Sequence, residues 1–371
     1  MRMALAKRDI VDGPPELKGL SLEQLMEVVE MAGAKRYRAQ QIYDALYIHR
    51  VQHIDEIAVL PTELRTELRN TYRLSSVEIE TVQASADGTL KYLFRLHDGR
   101  KIESVLIPSE LRENENVPRR RTLCISTQVG CNLGCAFCAT ATLNLQRNLT
   151  AGEIVDQYIA VAHHSKLPIT NIVYMGMGEP MNNYDNVMQA TSIFNDQRTG
   201  MVVPRRTTLS TAGVVPGIER MADEGALIKL ALSLHATTQG DREKLMPIAK
   251  RWPLPRLMDA VEYYYKRTRK KVTYEYILFK DFNDSAEDVK RLARIAKRVP
   301  SKVNVIPFHD IGFTRPEGFA AELQPASAER FEEFLQALRD EDVLVLVRSS
   351  SGVDIDAACG QLALSDGDAP L

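Results

Sequence analysis

The chain has 371 residues, 44% of them hydrophobic and 26% charged, with a formal net charge of −2. This composition excludes a disordered or low-complexity chain, and no apolar run reaches the ~20 residues of a membrane span. The N-terminal stretch MRMALAKRDIVDGPPELKGL lacks an apolar core with a small-residue cleavage site, so a cytoplasmic protein is expected.

LSLEQLMEVVEMAGA, RAQQIYDALYIHR and PTELRTELRNTY carry apolar residues at helical spacing, with Ser21 and Thr62 as caps or first-turn residues. Residues 1–75 are therefore expected to form a small helical domain. SVEIETVQ, TLKYLFRL and KIESVLIP read as strands, with HDGR turning between the last two. With the polar stretch after them they make a β extension and linker over residues 76–120. From residue 121 the pattern becomes strand, loop, helix, repeated. TLCIST, NIVYM, TTLST, LIKLALSL, VTYEYILF and KVNVIPF are β-rich runs. Helical stretches near 151–164, 185–197, 215–225, 254–267 and 285–299 separate them, and Thr150 with Glu153 forms a capping box for the first. Six βα units predict a parallel sheet in an α/β fold, a partial (β/α)6 barrel over residues 121–350. A further helix (SAERFEEFLQALRDE) and strand (VLVLVRSS) precede a closing segment, 351–371. Chemistry in such folds gathers at the C-terminal ends of the strands.

The five cysteines, an odd number with three of them bunched, do not look like a disulfide framework. Without an export signal, the three bunched as Cys131, Cys135 and Cys138 point to metal binding or catalysis. Structural zinc takes four ligands, generally from two separated pairs. Here one triplet stands alone, and His163 and His164 fall on the far side of a predicted helix. A 4Fe–4S cube takes four cysteines, so three leave one iron open to a chelating cofactor.

Charge is unevenly spread. Residues 1–75 carry 11 basic and 11 acidic groups, residues 309–371 carry 4 and 13, and residues 76–308 are left with +7. Basic runs in that middle (VPRRRT, VVPRRTT, YYYKRTRKKV) point to a polyanionic partner such as RNA. A metal-stabilised RNA-binding protein without catalysis also accounts for cysteines and charge together.

The C-x3-C-x2-C triplet after the first strand of a βα array resembles radical S-adenosylmethionine (SAM) enzymes. With ESVLIP, RTLCISTQVGC, RNLTAGEIV, VYMGMGEPMNN, TLSTAGVVPGI, ALSLHATT and DIDAACGQL, in order along the chain, it is similar to the RlmN/Cfr family of RNA adenine methyltransferases. The resemblance implies a radical SAM barrel, a 4Fe–4S cluster on Cys131, Cys135 and Cys138, and two SAM molecules per turnover. It implies SAM contacts at Gly178, Glu179, Ser210, Ser233, Leu234 and His235, and at His309, where the family has asparagine. It implies methylation of adenine C2 in 23S ribosomal RNA, with transfer RNA as an added candidate. An electron donor such as flavodoxin or ferredoxin follows as a partner.

The same resemblance gives the outlying cysteines roles. Cys359 would accept a methyl group, which after hydrogen abstraction adds to the base. Cys124 would attack the Cys359 sulfur and release the product with a transient disulfide. Glu103 matches the family's proton acceptor, and both Glu103 and Cys124 are candidates for removing the ring proton. A paralogue acting on adenine C8, or on a different RNA, is the alternative. Ala141, Asn144 and Ser351 also depart from the family pattern, Asn144 at a position where a left-handed backbone is tolerated by asparagine.

Overall fold

The computed structural model of the protein describes residues 13–109, 120–348 and 350–364. The expected N-terminal helices form at Leu22–Met31, Tyr37–Asp44 and Thr62–Thr71. Ser21 caps the first in a capping box with Gln24, and Leu25, Val28 and Val29 are its buried face. The second stretch ends differently from a single helix over 38–50: a π-helical turn, Ala45–His49, follows it and stops at Arg50, where φ is 55°. Tertiary contacts decide this. The Tyr47 hydroxyl donates to the Leu20 carbonyl and accepts from the Gly19 N–H, both at 2.9 Å.

Strands β1 (Val77–Ala84), β2 (Leu90–Leu96) and β3 (Lys101–Pro108) form an antiparallel meander, and β4 (Arg121–Cys124) continues it. A short ribbon of β5 (Gln128–Val129) and β6 (Arg147–Asn148) stands apart. Then come β7 (Asn171–Tyr174), β8 (Thr207–Thr211), β9 (Lys229–Ser233), β10 (Val272–Leu278), β11 (Ser301–Pro307) and β12 (Val345–Val347). One ten-stranded sheet runs in the order β1-β2-β3-β4-β7-β8-β9-β10-β11-β12, parallel from β4 onward. The sheet is open, as a partial barrel requires, and β12 adds a seventh parallel strand to the six βα units. All seven residues of β10 are buried, as expected for a strand covered on both faces.

Thr150 caps the helix Ala151–Ser165 with Glu153, and this helix is the seat of the N-terminal helices. The Lys18 ammonium lies 2.5 Å from Asp156, whose other oxygen accepts the Ser76 N–H at 2.6 Å. Gly19 packs so closely that a Cβ there would sit 2.2 Å from the Gly152 nitrogen. Because β4 and β7–β12 are parallel, their C-terminal ends define one pole of the molecule.

Candidate active site

Each candidate residue leaves the sheet at that pole. Cys124 ends β4, opposite Val105 of β3 and Val173 of β7. Glu103, two residues before Val105 on the antiparallel neighbour, lies just beyond Cys124. There its carbonyl accepts from the Ser126 hydroxyl at 2.5 Å. Gly178 and Glu179 follow β7, Ser210 is the penultimate residue of β8, Ser233 ends β9 with Leu234 and His235 directly after it, and His309 follows β11.

Gly178 has φ of 97°, and a Cβ would meet the Gln128 side chain at 2.5 Å, so only glycine fits. Glu179 is buried and its carboxylate accepts two backbone N–H groups, Met181 at 3.0 Å and Ala212 at 2.7 Å. Burial nevertheless pushes its pKa up to about 7. His235, at φ 53°, accepts the Ile277 N–H on Nδ1 at 3.0 Å and meets the Phe137 ring edge-on. Burial holds it neutral, with a pKa of about 3, and the Arg242 guanidinium adds to that effect.

The closing segment folds back over this pole. The Ala139 N–H donates to the Gly360 carbonyl at 2.7 Å and the Thr140 hydroxyl to the Leu362 carbonyl at 2.6 Å. Glu103, with no exposed surface, accepts the N–H groups of Ala363 and Leu364 at 3.0 and 3.1 Å, and the Lys91 ammonium stands 3.6 Å from its other oxygen. Burial raises the Glu103 pKa while Lys91 and the two N–H groups oppose the rise. These bonds set Cys359 beside Cys124. Burial first, and then the neighbouring Cys359 thiol, push Cys124 up to about 12, while Arg348 pulls it down.

Cys131, Cys135 and Cys138 lie together on the loop after β5, close enough that Cys131 and Cys138 both raise the pKa of Cys135, after burial. Burial also pushes Cys131 up to about 11 and Cys138 above its ordinary value. Thiols so placed ionise only beside strong positive charge, which iron supplies. One protein cation faces them as well: Arg242 is fully buried, with Nε and Nη1 unpartnered. The donor set fits a cluster held by three cysteines. His163 and His164 stay away from it, against the Arg50 carbonyl at 2.9 Å and the Tyr92 hydroxyl at 3.2 Å.

A family model of the radical SAM superfamily matches residues 125–294, and one of a ribosomal RNA large subunit methyltransferase N-terminal domain matches residues 15–74. The dual-specificity RNA methyltransferase RlmN of Geobacter sulfurreducens is 44% identical over 347 residues, 94% of this chain and 91% of the relative. The chain belongs to the RlmN family. The RlmN of Pelobacter propionicus is 42% identical, over 94% of this chain and 95% of its own. The crystal structure of a radical SAM methyltransferase from Sphaerobacter thermophilus superposes with a TM-score of 0.86 at 40% identity. It covers 94% of this chain and 99% of that one. As a radical SAM enzyme of the RlmN family, the protein uses a 4Fe–4S cluster and SAM.

Within the RlmN frame, Asn144 has φ of 47°, and the Gly130 Cα hydrogen faces its carbonyl so closely that a Cβ would sit 1.8 Å away. Ala141 lies in a 3-10 turn, Ala139–Leu143, and needs no left-handed backbone. His309 and Ser351 are half-buried. Sequence reasoning missed Arg348, Arg242 and Glu275. The Arg348 guanidinium lies 3.9 Å from the Glu275 carboxylate, facing the thiols of Cys359 and Cys124. Glu275 carried a signal, being the one charge inside the apolar run VTYEYILF. Arg242 carried none.

The basic runs are not at this pole. Arg120 precedes β4, Arg205 and Arg206 precede β8, and Lys270 and Lys271 precede β10, all at the N-terminal ends of the strands. They do not line the mouth that holds the cysteines. Arg119 lies outside the described residues, and Arg121 is a buried strand residue.

Proposed function

We propose that this chain methylates C2 of adenine in RNA, both ribosomal and transfer, with Cys359 as methyl carrier. The observation that carries the reading is the placement of Cys359 beside Cys124, on a closing segment tied to both Glu103 and the cysteine loop. Cys131, Cys135 and Cys138 would hold the cluster, and Gly178, Glu179, Ser210, Ser233, Leu234, His235 and His309 would line the SAM site. When bound, these groups supply the methyl and the radical that takes hydrogen from it.

The residues of the chain do the rest. Cys359 keeps the one-carbon unit bonded to its sulfur until the base carbon is attached. Cys124 then attacks that sulfur, so that a disulfide forms as the carbon–sulfur bond breaks, and a thiol reductant restores both cysteines. Glu103 and Cys124 are the two candidates for taking the ring proton.

The target base leaves its stack to reach Cys359, as for other enzymes that act on bases. Residues 1–75 serve as the RNA-binding accessory domain, 76–120 as the β extension and linker, 121–350 as the barrel and 351–371 as the carrier segment. The reaction needs a one-electron donor such as flavodoxin or ferredoxin, and the enzyme works in the cytoplasm, where both RNAs are found. Among the described residues no helix is long and apolar enough to cross a membrane. Nucleoside mass spectrometry of RNA from cells lacking the protein tests the reading. Loss of 2-methyladenosine from both RNAs supports it, and its persistence refutes it.

A further inference from the structure

We propose that Arg242 is a buried counter-charge for the iron–sulfur cluster, placed to raise the cluster's reduction potential through its positive charge near Cys135. The proposal rests on the reading that Cys131, Cys135 and Cys138 hold that cluster.

Arg242 lies on the helix Gln239–Leu245 and has no exposed surface. Burying a guanidinium costs several kcal/mol unless negative charge or full hydrogen bonding repays it. Neither is supplied by the described residues. Nη2 donates to the Ala212 carbonyl at 2.7 Å and the Ser233 carbonyl at 3.2 Å. Nε and Nη1, which carry three of the five N–H donors of the side chain, have no partner. No carboxylate among the described residues pairs with it.

What the guanidinium does face is the cysteine loop. The carbonyl of Leu245, one turn along the same helix, accepts the Ala136 N–H at 2.9 Å, which pins the helix to the loop beside Cys135. Cys135 is also the neighbour whose thiolate form would act on Arg242. The two carbonyls that hold Nη2 follow β8 and close β9, at the same pole as the cysteine loop.

A cluster on three thiolates is an anion whose negative charge grows by one on reduction. Potentials of such clusters depend on net charge and on hydrogen bonds to sulfur. A fixed cation beside Cys135 favours the reduced form and makes the cluster easier to reduce. A SAM carboxylate is the other anion that Nε and Nη1 could serve, and the two differ in whether SAM is required.

The test uses the full chain, reconstituted without oxygen, as wild type and as Arg242→Gln, Arg242→Met and Arg242→Lys. Iron and sulfide content comes first. A wild type without four irons means that the assignment of the three cysteines has failed, before Arg242 is in question. Electron paramagnetic resonance then follows a redox titration without SAM. At the wild-type midpoint the reduced-to-oxidised ratio should fall at least tenfold in Arg242→Gln and Arg242→Met, which is about 59 mV for one electron. Arg242→Lys, which keeps the charge, should stay within threefold. Neutral variants that titrate like wild type overturn the proposal. So does a shift seen only with SAM present, which assigns Arg242 to the carboxylate. If the neutral variants lose the cluster, the lysine variant decides: an unmoved midpoint supports the proposal and a tenfold shift overturns it.

Discussion

Glu103→Ala should release the closing segment that carries Cys359. The Glu103 carboxylate is fully buried and accepts two backbone N–H groups of that segment, at 3.0 and 3.1 Å, with Lys91 at 3.6 Å. A hydrogen bond to a charged group contributes ~1.5–3 kcal/mol, and such terms are not additive when they share one anchor. Local opening of residues 357–364 should therefore become easier by about 3 kcal/mol, roughly 150-fold in amide exchange. Lys91 also loses a buried partner, which lowers global stability as well. Hydrogen–deuterium exchange read by mass spectrometry separates the two, with a peptide ending at Leu364 compared against one from β10. Glu103→Gln keeps an acceptor oxygen and should retain most of the local protection. Exchange at Ala363 and Leu364 within threefold of wild type in Glu103→Ala would refute the anchoring role.

Asp156→Ala should cost roughly 3–5 kcal/mol by denaturant titration, because it strands the buried Lys18 ammonium and the Ser76 N–H; a loss under about 1 kcal/mol contradicts that. Asp98 is held at about 2, below its ordinary 3.8: burial opposes the shift, but hydrogen bonds from Arg147 and Arg100 overcome it. Its stabilising contribution is complete above pH 3.8 and is lost as pH falls through about 2. Asp98→Asn should therefore lower stability at pH 6 and flatten the loss between pH 4 and 2, while an unchanged acid profile would discount the Arg147 pairing. RNA binding should weaken with salt, yet Arg120→Ala, Arg205→Ala and Arg206→Ala together should leave affinity within twofold. The four residues of β4 and five of β8 span roughly 13–17 Å, beyond the ~8 Å screening length. A fall of several-fold in filter binding would bring the RNA to the far pole.

How much of this was legible follows from how local each signal is. Ser21 with Gln24 and Thr150 with Glu153 are caps within one turn, and their helices begin where the sequence put them. The alternation of strand and helix gave the parallel array, and the cysteine spacing gave the loop that follows its first strand. β12 was legible as a strand, but its place as a seventh parallel member depends on pairing with Val303 and Val305, which no local pattern encodes. The pole at which the basic runs end depends on strand direction, so charge counting put them in the right segment and said nothing of which end. Arg242 sits in a polar stretch that reads as ordinary surface, and Arg348 at the end of a strand, because their surroundings are created by elements far away in the chain.

The central claim is that Cys359 carries carbon to the base and Cys124 breaks the resulting link, and one gel tests it. Cys124→Ala, incubated with RNA and SAM, should stall with RNA joined to Cys359 through a carbon–sulfur bridge. Denaturing electrophoresis should show a shifted band that thiol reductant does not dissolve, absent from Cys359→Ala and from the double variant. A Cys124→Ala enzyme that turns over like wild type, with no shifted band, would contradict the account.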